Sequence, residues 1–173
     1  LGGEQRRTFC LTTAPAHCSY VVDSFTLTVQ VLVLGGALLT ALLSLPVVRR
    51  DGLPAGEFWF LLLSSVTGAA LLPAARDLIT LLIALEVASL PAFALVALRP
   101  GDRLGAESAL KFFLSSVNAS AVTLLGIAFV YGTTAAVHLD LVAEGMRRVD
   151  GGRLDILAPT GAVLTLVGFA FKT

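Results

Sequence analysis

The chain has 173 residues and a formal net charge of zero, with 12 Lys plus Arg against 12 Asp plus Glu. Only 14% of its residues are charged and 56% are hydrophobic, with a mean hydropathy of +0.88; an ordinary soluble domain carries about 25% charged residues. A soluble globule of this size cannot hide that much apolar surface, and a nucleic-acid binder needs a basic face that this balance lacks, which leaves an integral membrane protein.

The apolar residues form long continuous runs, without the alternation of a transmembrane barrel. No soluble-looking domain is left over for a single anchor to carry. In lipid every backbone N–H and C=O must be paired internally, so the runs read as helices. The expected fold is all-α, a polytopic transmembrane helix bundle.

Residues 1–22, LGGEQRRTFCLTTAPAHCSYVV, read as a polar, irregular exterior loop. They lack the order of a signal peptide, a basic end followed by an apolar core and a small-residue cleavage site. Five apolar segments follow, at about 23–48, 57–75, 77–98, 104–131 and 157–173. Each complete one approaches or exceeds the roughly 20 residues needed to cross hydrocarbon.

The stops have physical causes. Pro46 and Pro54 bracket the first turn, Pro73 closes the second segment, and Asp77 is an N-cap for the third. Arg99-Pro100-Gly101-Asp102 is a turn. The loop at 132–155 carries charges of both signs, and within it 139–149 reads as a short amphipathic helix at the surface. The chain opens on Leu1 and stops inside an apolar run at Thr173, so it is expected to be truncated at both ends.

Five spans place the first loop, the second turn and the 132–155 loop on one side. The basic residues do not orient the chain: Arg6, Arg7, Arg76, Arg147, Arg148 and Arg153 fall on that side, and Arg49, Arg50, Arg99, Arg103 and a snorkelling Lys111 on the other. Cys10 and Cys18 are the two cysteines, and both lie in the first loop. They read as a disulfide formed in an oxidising compartment, or else as two unrelated thiols. Metal binding through His17 and Cys18 is weaker, because a fourth ligand is missing. The pair places residues 1–22 outside the cytoplasm.

Three charges sit inside the apolar segments. Glu86 lies near the middle of the third, in LITLLIALEVASLPAFALVAL; Lys111 lies about two turns into the fourth; Lys172 lies deep in the fifth. A charge at the bilayer centre costs about 2.5–3.5 kcal/mol on insertion scales and is tolerated when it faces a partner. Glu86 and Lys172 have opposite signs and similar depth. They read either as a proton relay or as a structural ion pair that sets helix packing. Lys111 follows Glu107 by four residues, so it is either a helix-surface pair or a point of proton uptake from the basic turns. Ser115, Ser116, Asn118 and Ser120 form a polar stripe that reads first as packing. Pro91 frees a backbone carbonyl near Glu86, and His138 is given no role.

Three stretches carry a family resemblance. DLITLLIALEVASLPAFALVAL, RLGAESALKFFLSSVNASAVTLLGIAFVYG and GAVLTLVGFAFKT, with the spacing from Glu86 to Lys111 and Lys172, resemble successive helices of the antiporter-like membrane subunits of respiratory complex I. The resemblance covers about 77–173 well; the cysteine pair is not part of it. It implies a fourteen-helix fold with two inverted five-helix repeats, of which this chain holds the third to seventh helices. It implies proton translocation, with Glu86 tuning the charge of Lys172, Lys172 as central carrier and Lys111 as a supporting lysine. The partners it implies are the other membrane and hydrophilic subunits, the lipid bilayer and protons, with no nucleic acid. Flavin mononucleotide, iron–sulfur clusters and quinone would sit in other subunits, with no cofactor or metal in this chain. Two rivals remain at this point: a subunit of a monovalent cation/proton antiporter, and a non-transporting membrane scaffold.

Overall fold

The computed structural model describes residues 6–12, 17–147 and 156–172. Most of the described residues of the N-terminal loop are extended and paired, not irregular. Strands β1, Arg6–Cys10, and β2, Cys18–Val22, pair antiparallel with Cys10 opposite Cys18, and a disulfide joins the two cysteines. Tyr20, Val21 and Val22 favour extended backbone. A lone two-stranded hairpin is marginal, but this one is tied to the helical body. The Arg76 amide donates to the Ser19 carbonyl at 2.9 Å, and Tyr20 bridges to Ala75. The next segment joins in turn: Leu78 N–H donates to Val137 O and Leu139 N–H to Arg76 O, both at 3.0 Å, with Asp77 bridged to His138. Three chain connections at one end are thus knitted by backbone hydrogen bonds that the turns would otherwise leave open.

Helix α1, Ser24–Arg50, starts on Asp23, whose carboxylate accepts from the Thr26 amide at 2.8 Å. Pro46 does not end it; the helix continues to Arg50. A proline this close to a C-terminus removes one hydrogen bond and leaves the rest of the helix intact. Gly52, at φ +64°, makes the turn into α2, Ala55–Leu71. A 3₁₀ turn, Leu72–Ala74, extends α2 at Pro73. Helix α3, Leu78–Val96, is capped by Asp77, which accepts from both the amide and the hydroxyl of Thr80 at 2.7 Å, and it runs unbroken through Pro91. Helix α4, Arg103–Thr134, starts on Asp102 and stops at Ala135, which sits in the left-handed region at φ +51°.

Helix α5, Leu139–Arg147, is the short helix expected from the charged loop, though Val149, its expected end, lies outside the described residues, as do the neighbouring Arg148, Asp150, Arg153 and Asp155. It does more than lie on the surface. Val142 is buried against Leu78, Leu82, Ile127 and Val130 and closes the hairpin end of the bundle. The fifth apolar segment is also shorter than expected. Helix α6 spans Leu157–Ala170, and Lys172 lies in the turn after it rather than inside it. Among the described residues, four helices are long and apolar enough to cross a membrane: α1, α2 with its 3₁₀ extension, α3 and α4.

The packing is of membrane type. Leu32, Leu43 and Phe60 are about 70% exposed, while among the described residues the largest fully buried side chains are Thr26 and Thr123. Apolar chains facing outward gain nothing from burial when the surroundings are hydrocarbon, so close backbone approach at small residues does the work. Helix α2 meets α3 where Gly68 faces the backbone of Val87 and Ala88; a Cβ on Gly68 would lie 2.3 Å from Ala88 N. Helix α4 meets α6 where Gly168 lies on Thr123, and a Cβ there would lie 2.0 Å from its hydroxyl oxygen. The bundle is therefore two tight pairs, α2 with α3 and α4 with α6, which meet along a looser α3–α4 line.

Candidate functional site

The acidic and basic groups of the third and fifth apolar segments meet across that line. Glu86 sits mid-way along α3, and its position is set by the Gly68 approach one residue further on. Ser65 of α2 donates to the Ala88 carbonyl at 2.6 Å, close to the backbone that Pro91 leaves short of a donor. Lys172 is delivered by α6, whose register on α4 is fixed by Gly168 against Thr123. Lys172 Nζ donates to Glu86 Oε1 at 2.5 Å. The Lys172 side chain is 3% exposed and that of Glu86 26%.

A third element completes the group. Ser120 of α4 hydrogen-bonds the same Glu86 Oε1 and also reaches the Ser116 carbonyl at 2.8 Å. Two turns further along the same α3–α4 line, Phe93 stacks on Phe112 with ring centres 6.3 Å apart. A cavity of about 470 Å³ opens beside them, lined by Ser89, Phe93, Phe112, Ser116 and Lys172. The pair thus lies between an aromatic stack and a hydroxyl-bearing face. Two opposite charges at hydrogen-bond distance offset each other's desolvation only while both are present; removing either leaves a buried charge with no counter-ion. A proton moving from Lys172 to Glu86 removes both charges at once.

Lys111 does not join them. Its Nζ contacts Glu107 Oε1 at 2.6 Å, one turn away on α4, and both side chains are more than half exposed. Of the polar stripe, Ser116 is buried while Ser115 and Asn118 face a second cavity beside α6, with Val167 and Phe171. Among the described residues no group of three or more His, Cys, Asp or Glu sits together as metal ligands do.

Sequence reasoning missed Ser120 as a partner of Glu86. The two are 34 positions apart, and a serine in a membrane helix carries no signal of which neighbour it faces. It also missed the polar cluster at the hairpin end. Arg76, in the turn before α3, pairs at 2.7 Å with Asp23, the cap of α1, and His17 Nδ1 contacts Asp140 Oδ2 at 2.5 Å, which ties the start of β2 to α5. His138 is 5% exposed and edge-on to His17 at 6.3 Å. The Thr26 amide, then Arg76, holds Asp23 below its usual 3.8. Burial alone would push Asp77 up, but the Thr80 amide, the hydroxyls of Ser19 and Thr80 and the nearby His138 together hold it below 3.8. Asp140 is likewise raised by burial and lowered further by the Leu141 amide and His17.

Long apolar helices, packing at glycine and threonine, and an acid–base pair held between helices define a polytopic membrane protein with a charge-bearing interior. Residues 75–173 match the family described as NADH:quinone oxidoreductase/Mrp antiporter, TM, and the chain belongs to it. It is 64% identical over 168 residues to NADH-quinone oxidoreductase subunit N 2 of Streptomyces griseus, covering 97% of this chain and 31% of that protein. It is 46% identical over 173 residues to subunit N of Salinispora tropica, covering 99% of this chain and 33% of the relative. Among solved structures it resembles a chain of respiratory complex I from Thermus thermophilus, with a TM-score of 0.66 and 34% identity over 88% of this chain and 31% of that one. The chain spans about a third of the length of these relatives.

Proposed function

We propose that this chain is part of a subunit of the N type of NADH-quinone oxidoreductase and that it translocates protons across a membrane. The observation that carries the reading is the Lys172–Glu86 pair, two ionisable side chains from different helix pairs held 2.5 Å apart in an otherwise apolar bundle. Glu86 sets the charge of Lys172, and Lys172 is the carrier. Lys111, exposed on α4 beside Glu107, plays a supporting part in proton uptake near the α3–α4 turn. The chain itself holds no redox group in this reading. Flavin mononucleotide, iron–sulfur clusters and quinone belong to partner subunits, whose electron transfer from NADH drives the charge change. The hairpin end faces the exterior, an assignment supported by the disulfide between Cys10 and Cys18.

The experiment uses the full-length subunit in its complex, reconstituted in vesicles, with proton uptake measured per NADH oxidised. Glu86→Gln and Lys172→Met are expected to assemble and to lower that ratio. Normal pumping and turnover in either assembled variant would leave a structural ion pair. Purification without hydrophilic iron–sulfur subunits would point instead to a monovalent cation/proton antiporter.

A further inference from the structure

Ser120 touches Glu86 and Ser116 with a single hydroxyl hydrogen. The Ser116 carbonyl, 2.8 Å away, is the acceptor that a serine in a helix ordinarily takes. Glu86 Oε1 is the other acceptor, and it is the same oxygen that receives Lys172. A hydroxyl has one hydrogen to give, so the two acceptors compete for it. A carboxylate wins that competition, because hydrogen bonds to an ionised group are roughly twice as strong as neutral ones. A protonated carboxyl loses that advantage, and the hydrogen returns to the Ser116 carbonyl.

We propose that Ser120 is a positioning residue for the Glu86–Lys172 pair, a hydroxyl that turns to Glu86 when the carboxyl is charged and back to Ser116 when it is neutral. The proposal deepens the proton-carrier reading of that pair. When Lys172 passes its proton to Glu86, an N–H bond breaks at Nζ, an O–H bond forms on the carboxyl, and both charges disappear. Ser120 exchanges no proton; only its hydroxyl rotates. Its place on α4 matters, because α4 stands between the helix that carries Glu86 and the one that delivers Lys172. The carboxylate is thus held toward Lys172 from the tight pair to which Lys172 belongs. Ser116, buried on the same face one turn away, provides the resting acceptor through its backbone and not its side chain. Substituting its side chain therefore leaves the switch intact.

The test reads the titration of Glu86 itself. In the full-length subunit within its complex, the Glu86 carboxyl stretch is followed by infrared difference spectroscopy across pH, with the band assigned by its loss in Glu86→Gln. A hydrogen bond to a charged group shifts a protonation equilibrium by roughly tenfold to a hundredfold, about one to two pH units. Ser120→Ala is expected to displace the midpoint by that amount, and Ser120→Thr, which keeps the hydroxyl, to restore it. A midpoint unchanged in assembled Ser120→Ala overturns the proposal. If that variant does not assemble, Ser120→Cys carries the same test with a weaker donor of similar size, and an unchanged midpoint there overturns it equally. The proton-carrier reading fails by a different result, normal pumping in assembled Lys172→Met, which leaves the Ser120 displacement to stand or fall alone.

Discussion

Two lysine–glutamate pairs lie in this bundle, and they differ in every respect except composition. Lys111 and Glu107 are one turn apart on a single helix, with side chains 73% and 59% exposed. Lys172 and Glu86 are 86 positions apart, come from two different helix pairs, and hide the ammonium almost completely. The first geometry is built into any helix with this spacing and needs no tertiary structure. The second exists only if α2 packs on α3, α4 packs on α6, and the two pairs meet in one register. Local pairs decorate a helix; a pair between helices makes the packing of the bundle and the charge state of its interior depend on each other.

The largest effect is expected from breaking the inner pair. Glu86→Gln leaves the Lys172 ammonium buried without its counter-ion, a defect that typically costs about 3–5 kcal/mol while the group stays charged. Proton uptake per NADH in vesicles should fall, and thermal unfolding of the purified complex should reveal how much of the loss is stability. Glu86→Asp, which keeps the charge on a shorter arm, should be milder on both readouts.

A second way to separate the pairs leaves all four charges in place. Gly168→Val puts a side chain where 2.0 Å separates a Cβ from the Thr123 hydroxyl oxygen. Overpacking of this kind costs about 1–3 kcal/mol. It should push α6 off α4 and carry Lys172 away from Glu86, while Lys111 and Glu107 stay together. Cysteine crosslinking between α4 and α6, read beside pumping, checks this; normal crosslinking with normal pumping would show that the close approach does not set the pair.

The hairpin end supplies a smaller, pH-dependent effect. Asp77 is held below 3.8 in the folded protein. A carboxyl with a lowered folded pKa adds stability above its unfolded value, and that stability is lost as the pH falls through the folded one. As the N-cap of α3, Asp77 is worth about 1 kcal/mol. Asp77→Asn keeps the capping acceptor and removes the charge, so it should flatten the loss of thermal stability below about pH 4. A wild-type slope in that variant would place the acid sensitivity elsewhere.

The outer pair should respond least. Lys111→Ala removes an exposed i,i+4 contact worth about 0.3–0.5 kcal/mol, so the unfolding midpoint should barely move and pumping should fall only in part. Lys111→Arg should be milder still. Abolished pumping in assembled Lys111→Ala would erase the distinction between the two pairs.

Several of these features were legible in the chain. Composition and run length required membrane helices, because hydrocarbon admits no unpaired backbone. The Asp77 cap, the short amphipathic helix near 139 and the facing of Lys111 and Glu107 are local, and they follow from patterns within a few residues. The hairpin was not legible. Its strands are only five residues each, and they owe their order to a disulfide and to backbone pairing with residues 75 and 76. Pro46 misled because a proline breaks a helix only when the rest of the helix cannot compensate.

Glu86 and Lys172 stood out in the sequence because a charge in an apolar run is costly wherever it points, so their presence alone demanded a counter-charge. That they meet directly, at one carboxylate oxygen, was decided by the tertiary structure. So was the contact of Ser120 with Glu86: the polar stripe marked Ser120 in the sequence, but a small polar side chain costs little in any orientation, so its partner is not written in the spacing. The sequence determines which groups lipid will not tolerate alone; the glycine contacts of α2 with α3 and of α4 with α6, which act at ångström range between residues far apart in the chain, determine which partner each one finds.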